Sequence, residues 1–86
     1  MEIGINEVIV NVKFKDTLAH YTKVKDDTFK VNSNLPEALK TIILKKNIPN
    51  NIGYSIFVNG QSYLKEKNKK LKSEDNIIFI PIIFGG

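Results

Sequence analysis

Asn76-Ile77-Ile78-Phe79-Ile80-Pro81-Ile82-Ile83-Phe84-Gly85-Gly86 is a long apolar run that passes into two glycines. Ile77 to Ile80 are bulky and do not alternate with polar residues, the pattern of a strand buried on both faces near the middle of a sheet. Pro81 has no N–H to donate and is expected to mark where that strand leaves its ladder. Gly85 and Gly86 lack side chains, so a chain end built from them is thin enough to enter a narrow slot in another protein.

Upstream, the residues supply a sheet and one helix to support this stretch. Val8, Val10, Val12 and Phe14 alternate with Ile9, Asn11 and Lys13, which predicts a strand over Glu7–Phe14 with one face on the core. Met1 to Asn6 has the opposite parity and reads as a loose lead-in. Lys15 to Asp27 fits neither period and reads as an irregular connection. Thr28 to Val31 alternates again and is expected to pair antiparallel with the first strand.

The helix signal is clear. Asn34 can cap, Pro36 falls in the first turn, Glu37 lies three residues past the cap, and Leu35, Ala38, Leu39, Ile42 and Ile43 form one apolar stripe. Lys45 and Lys46 suit its C-terminal end, and Pro49 prevents continuation. Tyr54 to Val58 then reads as a strand, Asn59-Gly60 as a hairpin turn, and Gln61 to Leu64 as the returning strand. Lys65 to Lys72 is a lysine-rich loop with one apolar anchor, Leu71, and Ser73 to Asn76 turns into the final strand.

The chain has 86 residues, which suits one domain with a single core and no deep internal active site, so a partner is implied. Its net charge of +4 comes from lysine alone. Without arginine, bidentate recognition of bases and phosphates is disfavoured, and no nucleic-acid partner is expected. Richness in Lys, Asn and Ile is explained most simply by an AT-rich genome. With no cysteine there is no disulfide framework, thiolate metal site or thiol nucleophile. Neither a secretory leader nor an apolar run long enough to span a membrane is seen, so a cytoplasmic location without membrane attachment is expected.

Other candidate groups have plain explanations. His20 lacks Asp, Cys or Ser neighbours at motif spacing and reads as solvated. Asp26-Asp27 and Glu74-Asp75 are turn residues, not a catalytic pair. The lysine loop reads as a solvated surface, or as a steering patch for an acidic partner.

The order strand, strand, helix, strand, strand, strand is the β-grasp arrangement of ubiquitin-like proteins. The expected fold is α+β, a mixed sheet of about five strands packed on one main helix. One domain covers residues 1–86, with a lead-in at 1–6 and a tail at 81–86. Together with Val58-Asn59-Gly60, the acidic turn and the ending from Ile80 to Gly86, this order resembles the MoaD/ThiS sulfur carriers, closest to the small subunit of molybdopterin synthase. Lys13 to Ala19 also resembles the stretch after that family's first strand. Ile82 stands where the family has a second proline, and Phe84 where it has a small residue.

The resemblance implies a carried substrate or non-catalytic subunit, not an enzyme. A ubiquitin-activating-type adenylyltransferase would use ATP to adenylate the Gly86 carboxylate, and a sulfur donor would convert it to a thiocarboxylate. Gly85 and Gly86 would form the threaded tail, and Pro81, Ile82, Ile83 and Phe84 would meet the partner. The implied acceptor is the large subunit of molybdopterin synthase or another sulfur acceptor, with no bound cofactor or metal. Thiazole or tRNA-thiolation pathways, conjugation of Gly86 to protein lysines, and an interaction module with an inert tail stay open.

Overall fold

The alternation of the first strand is realised residue for residue. Strand β1 (Glu7–Phe14) buries Val10, Val12 and Phe14 and turns Ile9, Asn11 and Lys13 outward. The computed structural model describes residues 6–49, 53–65 and 68–82; the lead-in expected over 1–6 therefore falls outside them except for Asn6.

The connection after β1 is not wholly irregular. Thr17–Thr22 forms a short helix, α1, which buries Leu18 and Thr22. Asp16 before it and Lys23 after it have positive φ, at 48° and 66°. Lys23 closes the helix by donating its N–H to Ala19 O at 2.8 Å. With only six residues and two buried side chains, α1 has too little length to display a period. Strand β2 (Asp26–Asn32) then pairs antiparallel with β1, placing Phe29 opposite Val10, and is longer at both ends than its alternating centre.

Helix α2 (Leu35–Lys45) starts as its sequence dictates, with the Asn34 side chain accepting from the Glu37 N–H at 3.1 Å. Leu35, Ala38, Leu39 and Ile42 are buried, and Ile43 packs partly against them. The helix stops before Pro49. Asn47 adopts a φ of 53°, and Ile48 N–H returns to Ile43 O at 3.2 Å, closing the last turn in the manner of a Schellman motif while Ile48 is buried. Lys46 reaches Asp27 at 2.9 Å and lies 5.6 Å from the centre of the Phe29 ring, fastening the end of α2 to β2.

Strand β3 (Tyr54–Val58) is followed by Asn59 and Gly60 with φ of 50° and 84°, the two positive values a type I′ hairpin needs. The returning strand is shorter than the apolar character of Tyr63 and Leu64 predicts. Strand β4 covers only Gln61–Ser62, and Tyr63–Lys65 coils into a 3-10 turn. Leu71 is buried as an anchor, with its N–H bonded to Ser33 O at 2.8 Å.

Strand β5 (Asn76–Pro81) completes a five-stranded sheet in the order β2-β1-β5-β3-β4. It is central, parallel to β1 and antiparallel to β3. Two expectations about it change. The strand continues through Pro81, and it is not equally buried on its two faces: Ile77, Phe79 and Pro81 are buried, whereas Ile78 and Ile80 are half-buried. The helices and Leu71 cover one face of the sheet, and the other carries Ile78, Ile80 and Phe57 beside polar residues of β1. Isoleucine on both faces conceals this alternation in the sequence.

Candidate functional site

The candidate site is the place where β5 leaves the sheet, and its position follows from the core. Phe79 is fully buried between Phe14 and Tyr54, with ring centres 5.3 Å and 5.5 Å away. Burying a ring of this size against two others supplies both transfer energy and directional aromatic contact. The strand is thus held firmly two residues before Pro81.

Main-chain bonding explains why proline is accepted inside a central strand. Asn76 O accepts from Asn59 N at 2.8 Å and Ile82 N donates to Gly53 O at 3.0 Å, so even-numbered residues of β5 bond toward β3. Asp75 O and Phe79 O accept from Asn11 and Lys15 at 2.9 Å each, so odd-numbered residues bond toward β1. Pro81 belongs to the second set. The last paired residues on that side are Phe14 and Phe79, after which the chain of β1 turns away into α1. A residue with an N–H at position 81 would direct a buried donor at Lys15 O, which already accepts from Leu18 N–H at 3.0 Å as the chain turns into α1, and proline removes that donor.

Of the residues expected to form the site, Pro81 is buried opposite Tyr54, and Ile82 is 43% exposed just beyond the strand. Ile83, Phe84, Gly85 and Gly86 lie outside the described residues. The opposite end of β5 is tied by side chains. Asn59 Nδ2 donates to Asp75 Oδ1 at 3.0 Å, Asn76 N donates to Asn59 Oδ1 at 2.8 Å, and Lys72 N donates to Asp75 Oδ2 at 2.8 Å. Asn59 therefore does more than make a turn, a role invisible in the dipeptide alone because its partners lie sixteen and seventeen residues away.

A cleft that no local sequence signal foretells adjoins the exit. Because β4 stops at Ser62, no described strand lies along the outer side of Tyr54–Ile56. An open cleft of about 550 Å³ occupies the gap, walled by Leu39 and Ile43 of α2, Tyr54 and Ile56 of β3, and Leu64. Ile82 lines it too, and Lys40 is its one charged lining residue among the described residues. Burial pushes the Tyr54 phenol above its ordinary titration range. Three separate parts of the chain build this cleft, so no short motif announces it.

The remaining titratable groups are dispersed. His20 is exposed with its ring edge-on to Tyr21 at 6.3 Å. Lys46 is the main cause holding the Asp27 carboxyl below its usual range, with the Thr28 N–H adding to it. Among the described residues no cluster of His, Asp or Glu is placed to hold a metal ion, and no helix is long and apolar enough to cross a membrane.

Neither a protein-family model nor a curated protein matches the chain. Solved structures do. The solution structure of small archaeal modifier protein 1 (SAMP1) from Methanosarcina acetivorans is similar with a TM-score of 0.72 at 16% identity, covering 93% of this chain and 98% of that one. The Haloferax volcanii HVO 2177 protein, also a solution structure, gives 0.73 at 13% identity, over 100% of this chain and 93% of that one. The crystal structure of SAMP1 from Haloferax volcanii gives 0.72 at 14% identity, over 91% and 99%. With its mixed five-stranded sheet and covering helix, the chain has the ubiquitin-like β-grasp fold that it shares with the archaeal SAMP1 structures.

Proposed function

We propose that this chain is a ubiquitin-like carrier whose C-terminal glycine is activated by a partner enzyme. The observation that carries the reading is the exit of the central strand. Phe79 and Pro81 anchor β5 in the core, and Ile82 leads directly into Ile83-Phe84-Gly85-Gly86. A force or a partner acting on the tail is resisted by the best-buried strand in the sheet. From Ile82, four extended residues reach about 13 Å, enough to carry Gly86 clear of the domain. The likeness to proteins described as modifiers agrees with a tail-centred role.

In this reading a ubiquitin-activating-type adenylyltransferase binds the domain and receives the tail beside ATP. The Gly86 carboxylate, ionised at neutral pH because such groups titrate near about 3.5, attacks the α-phosphate and expels pyrophosphate. The resulting acyl-adenylate is open to a nucleophile. Attack by a hydrosulfide-level sulfur nucleophile forms the C–S bond, expels AMP and leaves a thiocarboxylate. Attack by a lysine amine expels AMP and leaves an isopeptide bond. The chain contributes the carboxylate, the thin Gly85-Gly86 tail and a rigid handle, and the partner contributes ATP and its chemistry.

Molybdopterin biosynthesis is the favoured pathway for the thiocarboxylate, on the resemblance of the Ile80-Pro81 stretch. Its acceptor would be the synthase large subunit. Protein modification is the second reading, favoured by the naming of the SAMP1 structures.

Intact-mass measurement of the protein purified from its host tests both. A mass ending at Gly86 with an increment of about +16 Da, one oxygen replaced by sulfur, supports the carrier reading. Gly86-dependent ladders of conjugates support the modifier reading. Unchanged adenylate formation after deletion of Gly86 would refute the activation step common to both.

A further inference from the structure

We propose that the cleft between α2 and the outer side of β3 is a docking site for the chain's own tail, with Phe84 as the inserted side chain. Ile82 already lines this cleft, so the tail begins inside its mouth. Phe84 follows two residues later, within about 7 Å of extended backbone plus the length of its own ring. The intervening residue is Ile83, and no side chain from Ile82 to Gly86 carries a charge. Leu39, Ile43 and Ile56 present a matching apolar wall, and Leu64, 73% exposed, forms an uncovered rim. The volume of about 550 Å³ is far more than Ile82 itself can fill and lies within the range of about 300–1,000 Å³ typical of ligand clefts.

Charge agrees with this occupant. Lys40, the cleft's charged lining residue among the described residues, meets Glu37 at 3.9 Å, with 73% of its side chain exposed. It is free to turn toward an anion delivered by the tail. That pairing rests on the proposed identity of Gly86 as a free carboxylate; the seating of Phe84 does not.

The docked state has a direct consequence for access. A partner that needs the extended tail must then outcompete the cleft for an aromatic residue, and Phe84 gains a function that a small residue at that position could not perform.

Solution NMR of the full 86-residue chain tests this without any activating enzyme. Selective labelling of Ile and Leu methyl groups and of the Phe rings is expected to show nuclear Overhauser contacts from Phe84 to Ile43, Leu39 and Leu64. Phe84→Ala should shift those methyl signals and leave the β1–β2 amides unmoved. Leu64→Lys, at an exposed position, should weaken the same contacts with the fold intact. Absence of these contacts, with cleft signals indifferent to Phe84→Ala, overturns the proposal. So do contacts that appear only between differently labelled copies, which would make the occupant a second molecule, or only after a partner is added. Failure of the adenylation experiment above would leave the Phe84 contacts standing and remove only the Lys40 pairing.

Discussion

The two ends of β5 are held by different kinds of interaction. Its start is tied by polar geometry: Asn59, Asp75 and Asn76 exchange hydrogen bonds that fix where the strand begins. Its exit is held by shape: Phe79 sits between two rings, Pro81 is buried, and one described main-chain bond holds Ile82. Directional bonds at the start set register, so the strand cannot slide by a residue and exchange its faces. Apolar packing at the exit holds Phe79 and Pro81 in the core without directional side-chain bonds.

Substitutions can break the contrast, beginning with the change expected to cost most. Phe79→Ala removes the shared anchor and should destabilise the domain by about 3–5 kcal/mol in denaturant unfolding, a large part of the about 5–15 kcal/mol available to a small protein. Asn59→Ala strains a position with φ of 50° and removes both side-chain ties, for an expected cost of about 2 kcal/mol. Asn59→Gly relieves the strain and should recover roughly half of that loss, separating turn geometry from hydrogen bonding.

Away from both ends, the Asp27–Lys46 pair provides a reference. Its carboxyl is depressed in the folded state, so its contribution is present above the unfolded value near about 3.9 and is lost as pH falls toward and below it. With the side chain 36% exposed, that contribution should be at most about 1 kcal/mol, and Asp27→Asn should flatten the acid limb of a stability–pH curve by that amount. Ile82→Ala should change stability by no more than about 0.5 kcal/mol, because the side chain is substantially exposed. If Ile82→Ala cost as much as Asn59→Ala, the exit would be a structural tie like the start, and the contrast would fail.

Elements that display a full period or complete turn chemistry were legible in the sequence. β1 shows four alternations, α2 combines a cap with a stripe, and Asn59-Gly60 places β3 before its turn. Others were hidden for identifiable reasons. α1 is too short, and its flanking Asp16 and Lys23 take positive φ values that composition does not reveal. Tyr63 and Leu64 carry strand-like side chains into a 3-10 turn. Ile78 and Ile80 are as apolar as their buried neighbours, so the half-open face of β5 cannot be read from residue type. Pro81 placed the end of β5 to within a residue, because a missing N–H acts locally, but the strand runs through it. The cleft beside that exit was not legible, since Leu39, Tyr54 and Leu64 meet only after folding.

Pro81 carries a further implication for the company this domain keeps. Past Phe79, the side of β5 vacated by β1 is a step in the middle of the sheet, where a foreign strand could otherwise lay itself down and continue the ladder. Proline offers such a strand no donor at that step. The fold thereby withholds a template for strand addition where β5 leaves the sheet.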